Sequence, residues 1–181
     1  MANKKLVVII NGKGGSGKDT MVEQALMEID GENVSSITPI KEIARLGGYA
    51  GAKDLKDRKF LSDLKKLFTE YNELPTRYLL GEYKKFLADD TKDVLFMHIR
   101  EPEEIEKMVN LLNGECKTIL VKGRVDDKDF GNKSDDDVES YCYDHIFYNT
   151  KTIEESGKDF ISLVKSLLKE ESKMKEMPHE F

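Results

Sequence analysis

Residues 5–29 read KLVVIINGKGGSGKDTMVEQALMEI, and this stretch decides the fold. Lys5 to Ile10 is β-branched and apolar without alternation, the pattern of a short strand buried on both faces. Asn11-Gly12 ends it and a glycine-rich loop follows. Val22, Ala25, Leu26 and Ile29 then recur at i, i+3, i+4 and i+7, which predicts a helix from Lys18 to Ile29 with one apolar stripe. A strand without a polar face needs cover on both sides, so helices are expected above and below a parallel sheet.

Working outward, the same alternation recurs. Asn33 to Ile37 is a weaker strand, and Thr38-Pro39 supplies an N-cap followed by proline at the first helical position, with Gly47-Gly48 stopping the helix after Leu46. Leu61, Leu64, Leu67, Phe68 and Tyr71 define a long amphipathic helix with Tyr71 in the core stripe. Leu79, Leu80, Tyr83, Phe86 and Leu87 define another after Pro75, so residues 53–90 read as a helical insertion. Strands are expected at Asp93–Ile99, Lys117–Lys122 and Asp144–Tyr148. Between and after them come a helix striped by Ile105, Met108, Val109 and Leu112 and a final one striped by Ile153, Phe160, Ile161, Val164, Leu167 and Leu168. Five strands and a frayed tail over 172–181 complete a single α/β domain spanning 1–171.

Composition narrows the classes. The 181 residues are 39% hydrophobic and 35% charged, which excludes a disordered or collagen-like chain. The longest apolar run, Leu6 to Ile10, is far short of the roughly 20 residues that span a bilayer. A net charge of −6 provides no basic field for general nucleic-acid binding. Cys116 and Cys142 fall within regular structure and read as reduced thiols, so a cytoplasmic protein is expected.

Gly12, Lys13, Gly14, Gly15, Ser16, Gly17, Lys18, Asp19 and Thr20 stand where a phosphate-binding loop must stand, after a buried strand and at a helix start. Glycines let successive N–H groups turn toward phosphate oxygens, the helix N-terminus adds its dipole, and Lys18 reaches the β- and γ-phosphates. A nucleoside triphosphate such as ATP, with Mg²⁺, is the expected ligand. The common pattern GxxxxGK[ST] has a hydroxyl after the lysine, whereas Asp19 stands here and Thr20 follows. Asp19 either holds Mg²⁺, directly or through water, with Thr20 serving as a further ligand or contacting the α-phosphate, or it caps the helix N-terminus.

The GxxxSGKDT loop resembles that of the deoxynucleoside monophosphate kinase-like branch of P-loop kinases. SITPIKEIARL is similar to a second segment of that group at Pro39, Lys41 and Ala44, HIREPEE to a third at Arg100, Pro102 and Glu104. YDHIFYNTKTIEES resembles its closing strand and helix at Tyr143, Asp144, Ile146, Asn149, Thr152 and Glu154. His98 stands where the group has an aspartate, and NKSD at 132–135 where it has H-x-S-E. The resemblance implies a three-layer P-loop NTPase fold, ATP-dependent transfer to a nucleoside monophosphate or similar phosphorylated acceptor, and acceptor contacts within the insertion.

Ligands of such sheets lie beyond the carboxyl ends of the strands, so Arg100 and Arg124, at two strand ends, are candidate phosphate clamps. The competing reading for Arg100 is an ion pair with Glu103 or Glu104. Arg58 and Arg77 are the candidate acceptor ligands, although a charged cluster at a helix start also serves as a solvated cap. Tyr71 and Tyr78 could stack on a base, although periodicity favours the core for Tyr71; His98, at a strand end, could act as a base but reads, like His145, as a packed strand residue. Residues 123–140 occupy the place of a mobile lid, yet from Arg124 to Glu139 three cations face seven anions. Two other functions compete: a nucleotide-binding regulatory protein without transfer activity, and a GTP-binding switch suggested by NKSD. The switch is disfavoured because Asn132 does not directly follow a strand and no DxxG follows Ile99.

Overall fold

A computed structural model describes residues 5–52, 54–123 and 137–176. Five strands form one parallel sheet: β1 (Leu6–Asn11), β2 (Gly31–Ser35), β3 (Val94–His98), β4 (Lys117–Gly123) and β5 (His145–Asn149), in the order β2-β3-β1-β4-β5. The helices are α1 (Lys18–Leu26), α2 (Thr38–Leu46), α3 (Leu55–Asn72), α4 (Leu74–Ala88), α5 (Pro102–Leu111) and α6 (Ile153–Glu176), and a short 3₁₀ turn covers Asp137–Ser140.

Every residue of β1 is buried, as expected of a strand covered on both faces. Leu6, Val8 and Ile10 pack with Met21, Val22 and Ala25 of α1 and Phe160, Val164 and Leu167 of α6. Val7 and Ile9 face the other way, toward Leu79 and Phe86 of α4 and Ile105 and Met108 of α5. The molecule is a three-layer α/β structure. No helix among the described residues is long and apolar enough to cross a membrane. Cys116 is buried, Cys142 exposed, and both are free thiols.

Strand order creates the crevice. From β1 the chain passes over β3 to the edge strand β2, and from β3 it passes over β1 to β4, so connections leave two adjacent strands in opposite directions. Loops at their carboxyl ends therefore separate and leave a cleft.

Several local expectations need correction. Helix α1 ends at Leu26, and β2 begins at Gly31, where a Cβ would meet Val94 Cγ1 at 2.4 Å and Val94 O at 2.5 Å. Close approach of β3 leaves no room for a side chain at that glycine, so the strand starts there. Thr38 is not a cap: it is the first residue of α2, the cap position is Ile37, and no side chain caps this end. Tyr71 is 79% exposed and Leu67 59%, whereas Leu61 and Lys65 are buried. Helix α3 is rotated so that Lys65, not Tyr71, points inward, where it meets Glu101, the N-cap of α5, and Glu104 in that helix's first turn. Ser172 lies within α6, its hydroxyl donating to Leu168 O at 2.8 Å, and the helix continues to Glu176.

Candidate functional site

The glycine-rich loop runs from the end of β1 to the start of α1. Gly15 (φ +85°) and Gly17 (φ +81°) occupy the left-handed region that side-chain-bearing residues avoid. Gly17 is also the N-cap of α1 and has no side chain to cap that end, while Asp19 stands in the first turn with its carboxylate on Lys18. Ser16 Oγ is buried without a hydrogen-bond partner among the described residues. Neighbouring strands brace the loop from behind. Asn149 Nδ2 donates to Ser16 O at 2.9 Å, and a Cβ on Gly123 would lie 2.8 Å from Ser16 Cα and 2.9 Å from Ser16 O. Lys13 pairs with Glu139 at 3.5 Å, and Lys122 pairs with the same carboxylate at 2.6 Å.

Asn11 ties the ends of β1 and β3 together. Its Nδ2 donates to Arg100 O at 2.9 Å and to Tyr143 Oη at 2.8 Å, while its Oδ1 accepts from Gly12 N at 2.9 Å. Tyr143 in turn donates to Val138 O at 2.8 Å, and burial pushes its phenol up to about 12.

The loop lysine is folded back. Lys18 Nζ donates to Asp19 Oδ1 at 2.6 Å and lies 3.2 Å from His98 Nδ1, and the His98 and Asp19 atoms are 3.5 Å apart. Burial lowers the His98 pKa, and Lys18 and Arg100 lower it further against Asp19, bringing it to about 3. The imidazole is neutral. Burial works against the Asp19 carboxylate, but its bond to Lys18 holds it below the usual range.

These groups line a cavity of about 580 Å³. It is bounded by the loop, the ends of β2 and β3, and the starts of α2 and α3. Lys18, Lys41, Arg58, Lys65 and Arg100 contribute cations to its lining, against the carboxylates of Asp19 and Glu101. The cleft is locally cationic in a chain of net charge −6. Lys65 is buried and pairs with Glu101 and, at 2.8 Å, with Glu104, which joins α3 to the start of α5. Burial opposes ionisation of both carboxylates; Lys65 outweighs it for Glu101, whose pKa is lowered, whereas burial prevails at Glu104.

The cavity brings together Gly14, Lys18, Asp19, Arg58 and Arg100. Glu104, one anticipated partner of Arg100, pairs with Lys65 at 2.8 Å. Arg77 is exposed on α4 and outside the lining; Tyr78, half-buried and bonded through its hydroxyl to Thr38, is outside it too. Thr20 follows Asp19 in the first turn of α1 but is not part of the lining. Arg124, the NKSD stretch and most of the lid segment lie outside the described residues. Among the described residues no set of three His, Cys, Asp or Glu side chains converges as a metal site.

Sequence reasoning missed Asn11, Lys65 and Glu101. A polar residue ending an apolar strand was a usable signal for Asn11. Lys65, in line with Leu61 and Phe68 on the helix, was a usable signal for a charge turned inward. The chain matches no protein-family model, and comparison with curated proteins gives no significant match.

Proposed function

We propose that this protein is an ATP-dependent phosphotransferase that phosphorylates a nucleoside or deoxynucleoside monophosphate, or a similar small phosphorylated acceptor. One observation carries the reading: a single cationic cavity is lined by Gly14 and Lys18 of the glycine-rich loop together with Lys41, Arg58 and Arg100. Two polyanions fit such a cleft end to end, with the transferring group between them.

In this reading the loop amides and the N-terminus of α1 cradle the β- and γ-phosphates, and Lys18 swings from Asp19 and His98 to the γ-phosphate. An acceptor phosphate oxygen attacks the γ-phosphorus, its new P–O bond forming as the bond to ADP breaks. Arg100 follows the developing charge at the end of β3, and Arg58 holds the acceptor. Mg²⁺ held by Asp19 would neutralise charge on the β- and γ-oxygens. No covalent enzyme intermediate is required.

A coupled assay of ADP release over a panel of nucleoside monophosphates and other phosphorylated metabolites tests the reading. Wild type turns over at least one acceptor, and Lys18→Ala lowers kcat by about 10²–10³-fold with an unchanged circular dichroism spectrum. MgATP at a hundred times its Kd raises Tm by roughly 5–10 °C. ATP stabilisation without turnover on any acceptor would favour the regulatory reading; no stabilisation would remove the triphosphate site.

A further inference from the structure

We propose that Asp19 and His98 form a seat for a divalent cation which Lys18 fills with its ammonium in the structure, and that the imidazole gives this seat a preference for Mn²⁺ or Co²⁺ over Mg²⁺. The inference rests on the phosphotransfer reading, because phosphate oxygens complete the ligand set.

A lysine ammonium carries donors only, so each atom it faces presents a lone pair. Two such atoms are Asp19 Oδ1 at 2.6 Å and His98 Nδ1 at 3.2 Å. Nδ1 therefore aims its lone pair at a point already occupied by positive charge, and the ring proton sits on Nε2. That Nε2 is buried with no partner among the described residues. Leaving a ring N–H unpaired is unfavourable, and it accompanies a lone pair directed into the cavity.

Spacing fits an ion. Adjacent ligands of an octahedral cation with bonds of about 2.1 Å lie about 3.0 Å apart. The Asp19 and His98 donors are 3.5 Å apart, and Asp19 is 76% exposed at its side chain, with room to close the difference. Once Lys18 moves to the γ-phosphate, the pair has lost its cation and a metal can take the place. Carboxylate suits Mg²⁺ and Mn²⁺ alike, but imidazole favours the transition ions, with affinity rising from Mn²⁺ to Co²⁺. One nitrogen among oxygens therefore tilts the seat away from Mg²⁺.

The test uses the full chain with Mn²⁺ and a non-hydrolysable ATP analogue, read by electron spin-echo spectroscopy. Nitrogen coupling to Mn²⁺ is expected, altered by ¹⁵N-labelling of histidine, lost in His98→Gln and kept in His145→Gln and His179→Gln. Calorimetry should show the Mn²⁺-over-Mg²⁺ preference for analogue binding falling about tenfold in His98→Asp. If His98→Gln fails to fold, wild-type ¹⁵N-labelling with the other two histidine variants still decides the ligand. Analogue binding with Mn²⁺ but no histidine nitrogen coupling would overturn the seat and leave the phosphotransfer reading standing. Analogue that binds with none of Mg²⁺, Mn²⁺ or Co²⁺ would overturn both.

Discussion

His98 is the residue at which stability and chemistry meet. It ends β3, is nearly buried, and keeps a neutral ring against Lys18 because burial and neighbouring cations bring its pKa from 6.5 to about 3. An unfolded chain takes up this proton near pH 6.5, whereas the folded one resists until far lower. Between those values the unfolded state binds more protons, so stability rises with pH across the window. His98 thus contributes its full share above about pH 6.5 and loses it progressively as pH falls toward about 3. Urea unfolding at pH 7.5 and 5.0 should show wild type losing stability at the lower pH, with a smaller loss in His98→Gln. Equal losses would show that other groups govern the acid limb.

At the scale of elements, α3 is positioned by one buried charge. Its apolar stripe alone faces Leu61, Leu64, Phe68 and Tyr71 inward together, yet the helix buries Lys65 and leaves Tyr71 in water. An ammonium between two partly buried carboxylates cannot be removed cheaply, since two negative charges then remain side by side. Lys65→Met is expected to cost about 3 kcal/mol in denaturant unfolding, while Tyr71→Ser changes stability by no more than about 0.5 kcal/mol. Behind the loop, Gly123→Ala forces a methyl into the Ser16 backbone, displacing the loop without touching the core. That variant should keep its far-UV spectrum and lose the Tm rise with MgATP.

Across the whole molecule, the opposite courses of the connections that leave the adjacent parallel strands β1 and β3 bring a helix start, two strand ends and the insertion around one cationic cleft. A distinction between two arginines follows. Arg58 lines that cleft and Arg77 does not. In steady-state kinetics Arg58→Ala should raise the acceptor KM by roughly tenfold or more with little change in the KM for ATP, a loss of about 1.4 kcal/mol of acceptor binding. Arg77→Ala should leave both constants near wild type. An acceptor KM raised equally by both would place the acceptor outside the cleft.

Local chemistry made the five strands, the parallel sheet and the loop at 12–20 readable from the amino-acid order. Runs such as Leu6 to Ile10 and stripes such as Val22, Ala25 and Ile29 follow from backbone periodicity, which needs no knowledge of distant residues. Caps and boundaries were less legible: Thr38 has the chemistry of a cap but lies inside α2, and Ser172 lies inside a helix that runs on to Glu176. Tertiary structure alone decided which face of α3 turns inward, that Arg58 reaches the cleft and Arg77 does not, and that His98 meets Lys18 across 80 residues of chain. Periodicity ranks side chains by hydrophobicity, and so it cannot anticipate a buried lysine whose carboxylate partners lie 36 and 39 residues further along, at Glu101 and Glu104. The physical reason is that a charge is buried only where folding brings its counter-charge, and that meeting is a property of the packed chain.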